Sequence, residues 1–164
     1  MSRVLSVDPS STILGWAILD EGDVLVAHGL ISTMKVPYDH RYLHITNDLW
    51  DLLQKYQPSE VACERAFKAP GHNTAALQVA VMTLKHFCKK YKLPLRMYAN
   101  NSWKASVAGA GNADKETVAI CVRFLYPQLP EDVSDHITDA VAIGLHHLAM
   151  RHLENMVIKE VMSE

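Results

Sequence analysis

The sequence predicts an α/β fold, a mixed five-stranded sheet flanked by helices. Three observations predict it. Three short apolar runs joined by tight turns open the chain. Two further strand-like runs then alternate with long segments of helical period. After the fifth run only helical patterns remain.

Arg3–Asp8, Ile13–Leu19 and Val24–Leu30 read as strands, punctuated by Pro9-Ser10-Ser11 and Glu21-Gly22-Asp23. Connections this short require an antiparallel meander. Pro37 opens a helical pattern in which Tyr42, Ile45, Leu49, Leu52, Leu53 and Tyr56 recur at three- and four-residue spacing, and Pro58 closes it. Glu60–Glu64 is a short strand, and Arg65–Asn73, with Pro70 and Gly71, is a loop. A helix is expected from about Thr74 to Tyr91, with Leu77, Val81, Leu84 and Cys88 on one face. Pro94–Ala99 supplies the fifth strand. Helices are expected over Ser102–Val107, over Asp114–Tyr126 before Pro127, and from Val133 to His152 or beyond.

A length of 164 residues suits one domain spanning 1–164, with one core. The chain is 49% hydrophobic and 21% charged, ordinary for a globular protein, and no apolar run reaches the ~18 residues of a membrane span. The first residues read directly into a strand and not as a signal peptide. Cys63, Cys88 and Cys121 form neither a zinc pattern nor a disulfide framework; a reducing cytoplasm and a core-filling role are expected. The net charge of -2 conceals an uneven distribution. Arg65 to Arg123 holds ten basic residues against Asp114 and Glu116, a formal +8 on a frame of -10. A cationic middle on an acidic frame suits a polyanion, although Lys85, Lys89, Lys90 and Lys92 also fit the solvated face of one helix.

The chemistry lies in three acidic positions. Asp8 ends the first strand, Glu64 ends the fourth, and Asp139 lies in the last helix three residues after His136, on the same helix face. A carboxylate at the tip of a buried strand costs solvation unless a cation compensates it. Acidic and imidazole groups brought together from two strands and a helix are what a two-metal phosphodiesterase needs, with Mg²⁺ or Mn²⁺ as the ions. His136 fits either a ligand role or action on the attacking water. Asp135 fits a first-turn acid favoured by the helix dipole.

Four stretches together carry a family resemblance. They are Val7-Asp8-Pro9-Ser10-Ser11 with Gly15-Trp16-Ala17; Glu64-Arg65-Ala66-Phe67 with Asn73 and a long helix; Trp103-Lys104 through Gly109-Ala110-Gly111-Asn112-Ala113-Asp114-Lys115; and His136-Ile137-Thr138-Asp139-Ala140-Val141-Ala142. In this order and spacing, from about Val4 to His147, the chain resembles the RuvC-type Holliday-junction resolvases of the RNase H-like superfamily. The resemblance implies metal-binding carboxylates at Asp8, Glu64 and Asp139, and places His136 where many members carry Asp and some carry His, with Asp135 as the substitute if the register shifts by one. It implies basic DNA contacts at Lys104 and Lys115, with Arg65 and Lys68 beside them, and an aromatic at the junction centre in Phe67. Two departures stand out: Asp-Pro-Ser replaces the usual Asp-Pro-Gly, and Pro70 stiffens the loop after Glu64.

The expected function is metal-dependent, paired hydrolysis of four-way junctions, giving 5′-phosphates, by a C2 homodimer whose two sites face opposing strands. The apolar face of Thr74–Tyr91 is expected either at that interface or against the sheet. Flap or single-strand nucleases and ribonuclease H share the same metal site. An actin-like ATPase fragment needs a second subdomain that 164 residues do not hold, and a DNA-binding module without catalysis has no use for the acidic set.

Overall fold

The computed structural model describes residues 3–65 and 75–163. The strands are β1 (Val4–Pro9), β2 (Ile13–Asp20), β3 (Val24–Ser32), β4 (Glu60–Glu64) and β5 (Leu95–Tyr98). The helices are α1 (Arg41–Tyr56), α2 (Ala75–Lys90), α3 (Asn100–Ala108), α4 (Lys115–Leu125) and α5 (Asp135–Val161). A 3-10 turn, Tyr38–His40, separates Pro37 from α1. The element order agrees with the sequence expectation. The largest difference is α5, which continues nine residues past His152 because nothing in that stretch breaks a helix.

The sheet order is β3-β2-β1-β4-β5. β1, β2 and β3 form the antiparallel meander, whereas β4 runs parallel to β1 and β5 parallel to β4. The sheet is therefore mixed, with β1 at its centre. Alternation along β1 sends Leu5 and Val7 to one face and Val4, Ser6 and Asp8 to the other. Leu5 and Val7 join α1 and α2 through Ile45, Leu49, Ala80, Leu84 and Phe87. Val4 joins α3, α4 and α5 through Trp103, Val118, Val122, Ala140 and Ile143. The apolar face of α2 thus packs on α1 and the sheet, one of the two placements expected from the sequence. Cys63 and Cys88 are core fillers, as expected.

Two glycines let α5 lie close to the sheet. A Cβ at Gly15 would stand 1.9 Å from the His136 carbonyl oxygen, and one at Gly144 would stand 2.5 Å from Leu19 Cδ1. Gly15 pairs with Asp8 across the β1–β2 ladder. The residue that admits the helix start is therefore the direct neighbour of the first acidic position. Ser10 takes no left-handed conformation. Its hydroxyl closes the β1–β2 turn by donating to the Ile13 carbonyl at 2.5 Å, while its amide donates to the same oxygen at 3.0 Å. Serine in place of the family's glycine is thus accommodated and adds a turn bond.

Farther along α5, a polar line crosses the same sheet face. The Tyr98 hydroxyl meets His147 Nδ1 at 2.8 Å. His147 Nε2 lies 3.0 Å from Glu60, too poorly angled for a full hydrogen bond, and Glu60 pairs with Arg151. Among the described residues no helix is long and apolar enough to cross a membrane.

Two outcomes are expected. Gly15→Ala pushes a methyl group into backbone that cannot yield, so it costs about 1–3 kcal/mol or more and displaces the start of α5; a chemical denaturation midpoint equal to that of the unsubstituted chain would refute the close contact. Burial holds His147 below the usual imidazole range. The neutral ring therefore contributes stability above pH 6.5 that is lost as the pH falls through the lowered value. Acidification below pH 6.5 should lower the Tm, at about 2–4 °C per kcal/mol for a chain of this size, and His147→Gln should flatten that part of the profile.

Candidate metal and catalytic centre

The β1–β4 register ends at Val7↔Cys63. Asp8 and Glu64 are the next residues of two adjacent parallel strands, on the face turned toward α5. Strands so paired lie about 4.8 Å apart, so two carboxylates meet at one end of the sheet. The first turn of α5 closes the site from above. His136 Nδ1 lies 2.8 Å from Asp8 Oδ2. Asp139, one turn later, is only 5% exposed, and its Oδ1 has no hydrogen-bond partner.

The electrostatics follow from this crowding. Burial, and then the charge on Asp8, push Asp139 up to about 7. The same two causes raise Glu64. His136 is raised, chiefly by its bond to Asp8, which favours an imidazolium beside that carboxylate. Asp135 belongs to a different contact. Its Oδ2 lies 2.6 Å from Lys115 Nζ and its Oδ1 accepts the His136 amide, and the lysine holds it below the usual carboxylate range. At position 135 the carboxylate thus faces Lys115, and at 136 the imidazole faces Asp8.

The other expected residues fall around this centre. Lys104 Nζ lies 5.6 Å from the Trp103 ring, and its charge acts on Glu64. Lys115 sits at the start of α4, where its charge reaches Asp139 and Asp8 as well as Asp135. Arg65 is exposed immediately after β4, with its amide bound to the Tyr98 carbonyl. Phe67 and Lys68 lie outside the described residues, as does Pro70. Gly109, suggestive of a phosphate loop by composition, is the left-handed C-cap of α3 at φ 77°.

The sequence reading missed two residues that touch the site. Asn100, the first residue of α3, donates from Nδ2 to Glu64 Oε1 at 3.2 Å. The fully buried Trp103 presents an indole N–H that makes no hydrogen bond of its own but favours the Glu64 carboxylate. Neither has a sequence signal beyond its place one strand and one turn after Glu64.

The donor set suits hard divalent cations: three carboxylates and an imidazole, with one buried carboxylate oxygen unsatisfied. Among the described residues no three His, Cys, Asp or Glu side chains already enclose a common ion position. The clustered like charges and the orphaned Asp139 oxygen are nevertheless what a cation would relieve.

The family model described as crossover junction endodeoxyribonuclease RuvC matches residues 4–147. The crossover junction endodeoxyribonuclease RuvC of Maricaulis maris (strain MCS10) is 32% identical over an alignment covering 94% of this chain and 95% of that protein. The Thermus thermophilus RuvC structure superposes with a TM-score of 0.77 at 26% identity, covering 92% of this chain and 96% of that one. T. thermophilus RuvC in complex with Holliday junction substrate has the same TM-score of 0.77, at 24% identity, covering 90% of this chain and 93% of that one. With an RNase H-like fold shared over nearly its whole length, this chain belongs to the RuvC family of crossover junction endodeoxyribonucleases.

Proposed function

We propose that residues 1–164 act as one nuclease domain that resolves four-way DNA junctions in the cytoplasm by metal-dependent phosphodiester hydrolysis, as one half of a C2 homodimer. The observation that carries this reading is the meeting of Asp8, Glu64, His136 and Asp139 at one end of the sheet, with Asp139 buried and its Oδ1 unpaired. The choice of substrate is supported by family membership and by T. thermophilus RuvC, which is known in complex with a Holliday junction. Two sites are needed because a symmetric junction is opened by cuts on opposing strands, and a twofold dimer provides them with a single interface.

Asp8, on the central strand, is the candidate to serve two Mg²⁺ or Mn²⁺ ions. Glu64 would complete one site and Asp139, with His136, the other. When bound, the ions supply an activated water and neutralise charge on the departing oxygen. The remaining work belongs to side chains. Asp8, Glu64 and Asp139 would hold the cations through their carboxylates. Burial of Asp139 keeps bulk water from screening its charge. In either role His136 acts as the neutral imidazole: once it has given up its proton it would serve as a ligand or, held beside Asp8, take a proton from the attacking water. Lys104 and Lys115 flank the centre and carry the positive charge that a DNA phosphate requires. Lys115 leaves Asp135 when it meets that phosphate, exchanging one anionic partner for another. Phe67, in the segment after Glu64, is the candidate to stack on an unpaired base at the junction centre, with Arg65 and Lys68 beside it on the backbone.

The deciding assay offers a labelled four-way junction, matched duplex, flap and RNA–DNA hybrid with Mg²⁺, Mn²⁺ or EDTA. Symmetric paired nicks with 5′-phosphates, confined to the junction and dependent on metal, are expected. Cutting of flap or hybrid alone would retain the metal centre and reject the resolvase reading. Asp8→Asn should still bind the junction but lose at least about 10³-fold in cutting rate, the order expected when an electrostatic catalytic group is removed; full activity would refute the assignment.

The raised Asp139 predicts a separate stability effect. Its folded-state value near 7 exceeds the ordinary carboxylate value of 3.8. The metal-free fold therefore loses stability as the pH rises between these values, and the full cost is present at pH 8. At that pH the metal-free Asp139→Asn variant should melt above the unsubstituted chain, whereas millimolar Mn²⁺ should raise the Tm of the unsubstituted chain more than that of the variant. Equal Mn²⁺ shifts in the two proteins would remove Asp139 from the metal centre.

A further inference from the structure

Glu64 is better supported than a bare carboxylate at a strand end. Both flanking donors come from α3, which follows β5 after a single intervening residue. β5 pairs with β4 in the register Glu64↔Tyr98, so the chain leaving Tyr98 must start its next helix beside Glu64. Asn100, in the first turn, is half-buried and donates to Oε1 at 3.2 Å. Trp103, three residues later on the same helix face, is 0% exposed, and its buried Nε1 has no hydrogen-bond partner of its own. The indole also lowers the Glu64 carboxyl, against the rise that burial and Asp8 cause, and a buried N–H without another partner is costly unless a nearby carboxylate stays charged and in place.

The end of α3 fixes its beginning. Gly109 terminates the helix at φ 77°, and the chain then doubles back. A Cβ at Gly111 would press on the Asn101 carbonyl at 3.0 Å. Gly109-Ala110-Gly111 therefore braces the turn that carries Asn100, a structural use for a motif that the catalytic reading leaves unassigned. Trp103 is packed among Ala62, Val118 and Ala140, which leaves the indole little freedom to turn away.

We propose that Asn100, through its hydrogen bond to Oε1, and the buried Trp103 indole are positioning residues for Glu64, leaving Oε2 to meet a divalent cation as a single, oriented ligand atom. The inference rests on the reading of Glu64 as a metal ligand. Donors behind a ligand carboxylate lower the entropy lost when the ion binds, and their loss is felt as weaker metal binding. The clamp acts through Glu64 and touches neither ion nor DNA, so it sets the metal concentration the enzyme needs more than its rate once loaded.

The test uses the full chain with four substitutions: Asn100→Leu, Trp103→Phe, both together, and Glu64→Gln. Asn100→Leu keeps the size at a half-buried position, and Trp103→Phe keeps an aromatic ring while removing the N–H. Mn²⁺ binding is followed by electron paramagnetic resonance of the free ion, folding by circular dichroism, and junction binding in EDTA by gel shift. Loss of the donors should weaken Mn²⁺ binding about 10-fold singly and up to about 100-fold together, the range seen when groups behind a metal ligand are removed. Junction binding in EDTA should be unchanged. The Mn²⁺ concentration for half-maximal cutting should rise in step, while the rate at saturating Mn²⁺ recovers most of its original value. Should Trp103→Phe not fold, Asn100→Leu alone decides. Folded clamp variants that bind Mn²⁺ normally, while Glu64→Gln does not, overturn the clamp and leave the metal site standing. Normal binding by Glu64→Gln overturns the ligand assignment and the clamp with it.

Discussion

Everything at this site depends on how closely α5 approaches the sheet. An ordinary helix-to-sheet spacing would leave His136 and Asp139 too far from Asp8 and Glu64 to share an ion. The spacing is reduced because the surfaces in contact are small: Gly15 and Ala17 on β2, Ala62 on β4, and Ala140 and Gly144 on α5. The tightest point, where the His136 carbonyl lies over Gly15, is also the point beside Asp8. Packing and catalytic geometry are therefore one constraint. Closely packed cores transmit displacement instead of absorbing it, so a methyl group at position 15 acts on His136 and on the neighbouring Asp8 together.

The same closeness concentrates negative charge where water is scarce. Asp139 rises to about 7, and Glu64 rises because of burial and Asp8. Such crowding opposes folding, and a sequence chosen for stability alone would relieve it with apolar residues. The chain instead surrounds the cluster with partial compensation: the His136 ring on Asp8, the Asn100 amide on Glu64, and Lys115 within electrostatic reach of Asp139. The buried Asp139 Oδ1 is left without a hydrogen-bond partner. A cation bound at this point would relieve what the fold leaves unsatisfied and thereby stabilise it.

The sequence disclosed the fold because local patterns agreed with one another. Pro37 and Pro58 bracket α1, short turns forced the β1–β3 meander, and single strands alternating with long helical segments pointed to a mixed sheet. Asp8, Glu64 and the His136–Asp139 pair were legible because each sits at a position with a one-dimensional signature, a strand tip or a three-residue helical spacing. The partners of these groups were not legible. Asn100 meets Glu64 across 36 positions, and Tyr98 meets His147 across 49, through strand register and helix rotation that no local pattern encodes. The extension of α5 to Val161 was open for a related reason: a sequence without a stop signal does not say where a helix stops.

Lys115 shows how the acidic frame and the cationic middle of the chain fit together. In the free protein it is bound to Asp135 at 2.6 Å, and both side chains are about half exposed. An exposed pair of this kind is worth only about 0–1 kcal/mol, enough to orient the lysine within reach of Asp139 and Asp8 but too little to fix it there. Asp135 is kept from joining the neighbouring carboxylates because Lys115 draws it the other way, which leaves position 136 to face Asp8. Two adjacent residues at the start of α5 thus face different partners, Asp135 the exposed Lys115 and His136 the buried Asp8.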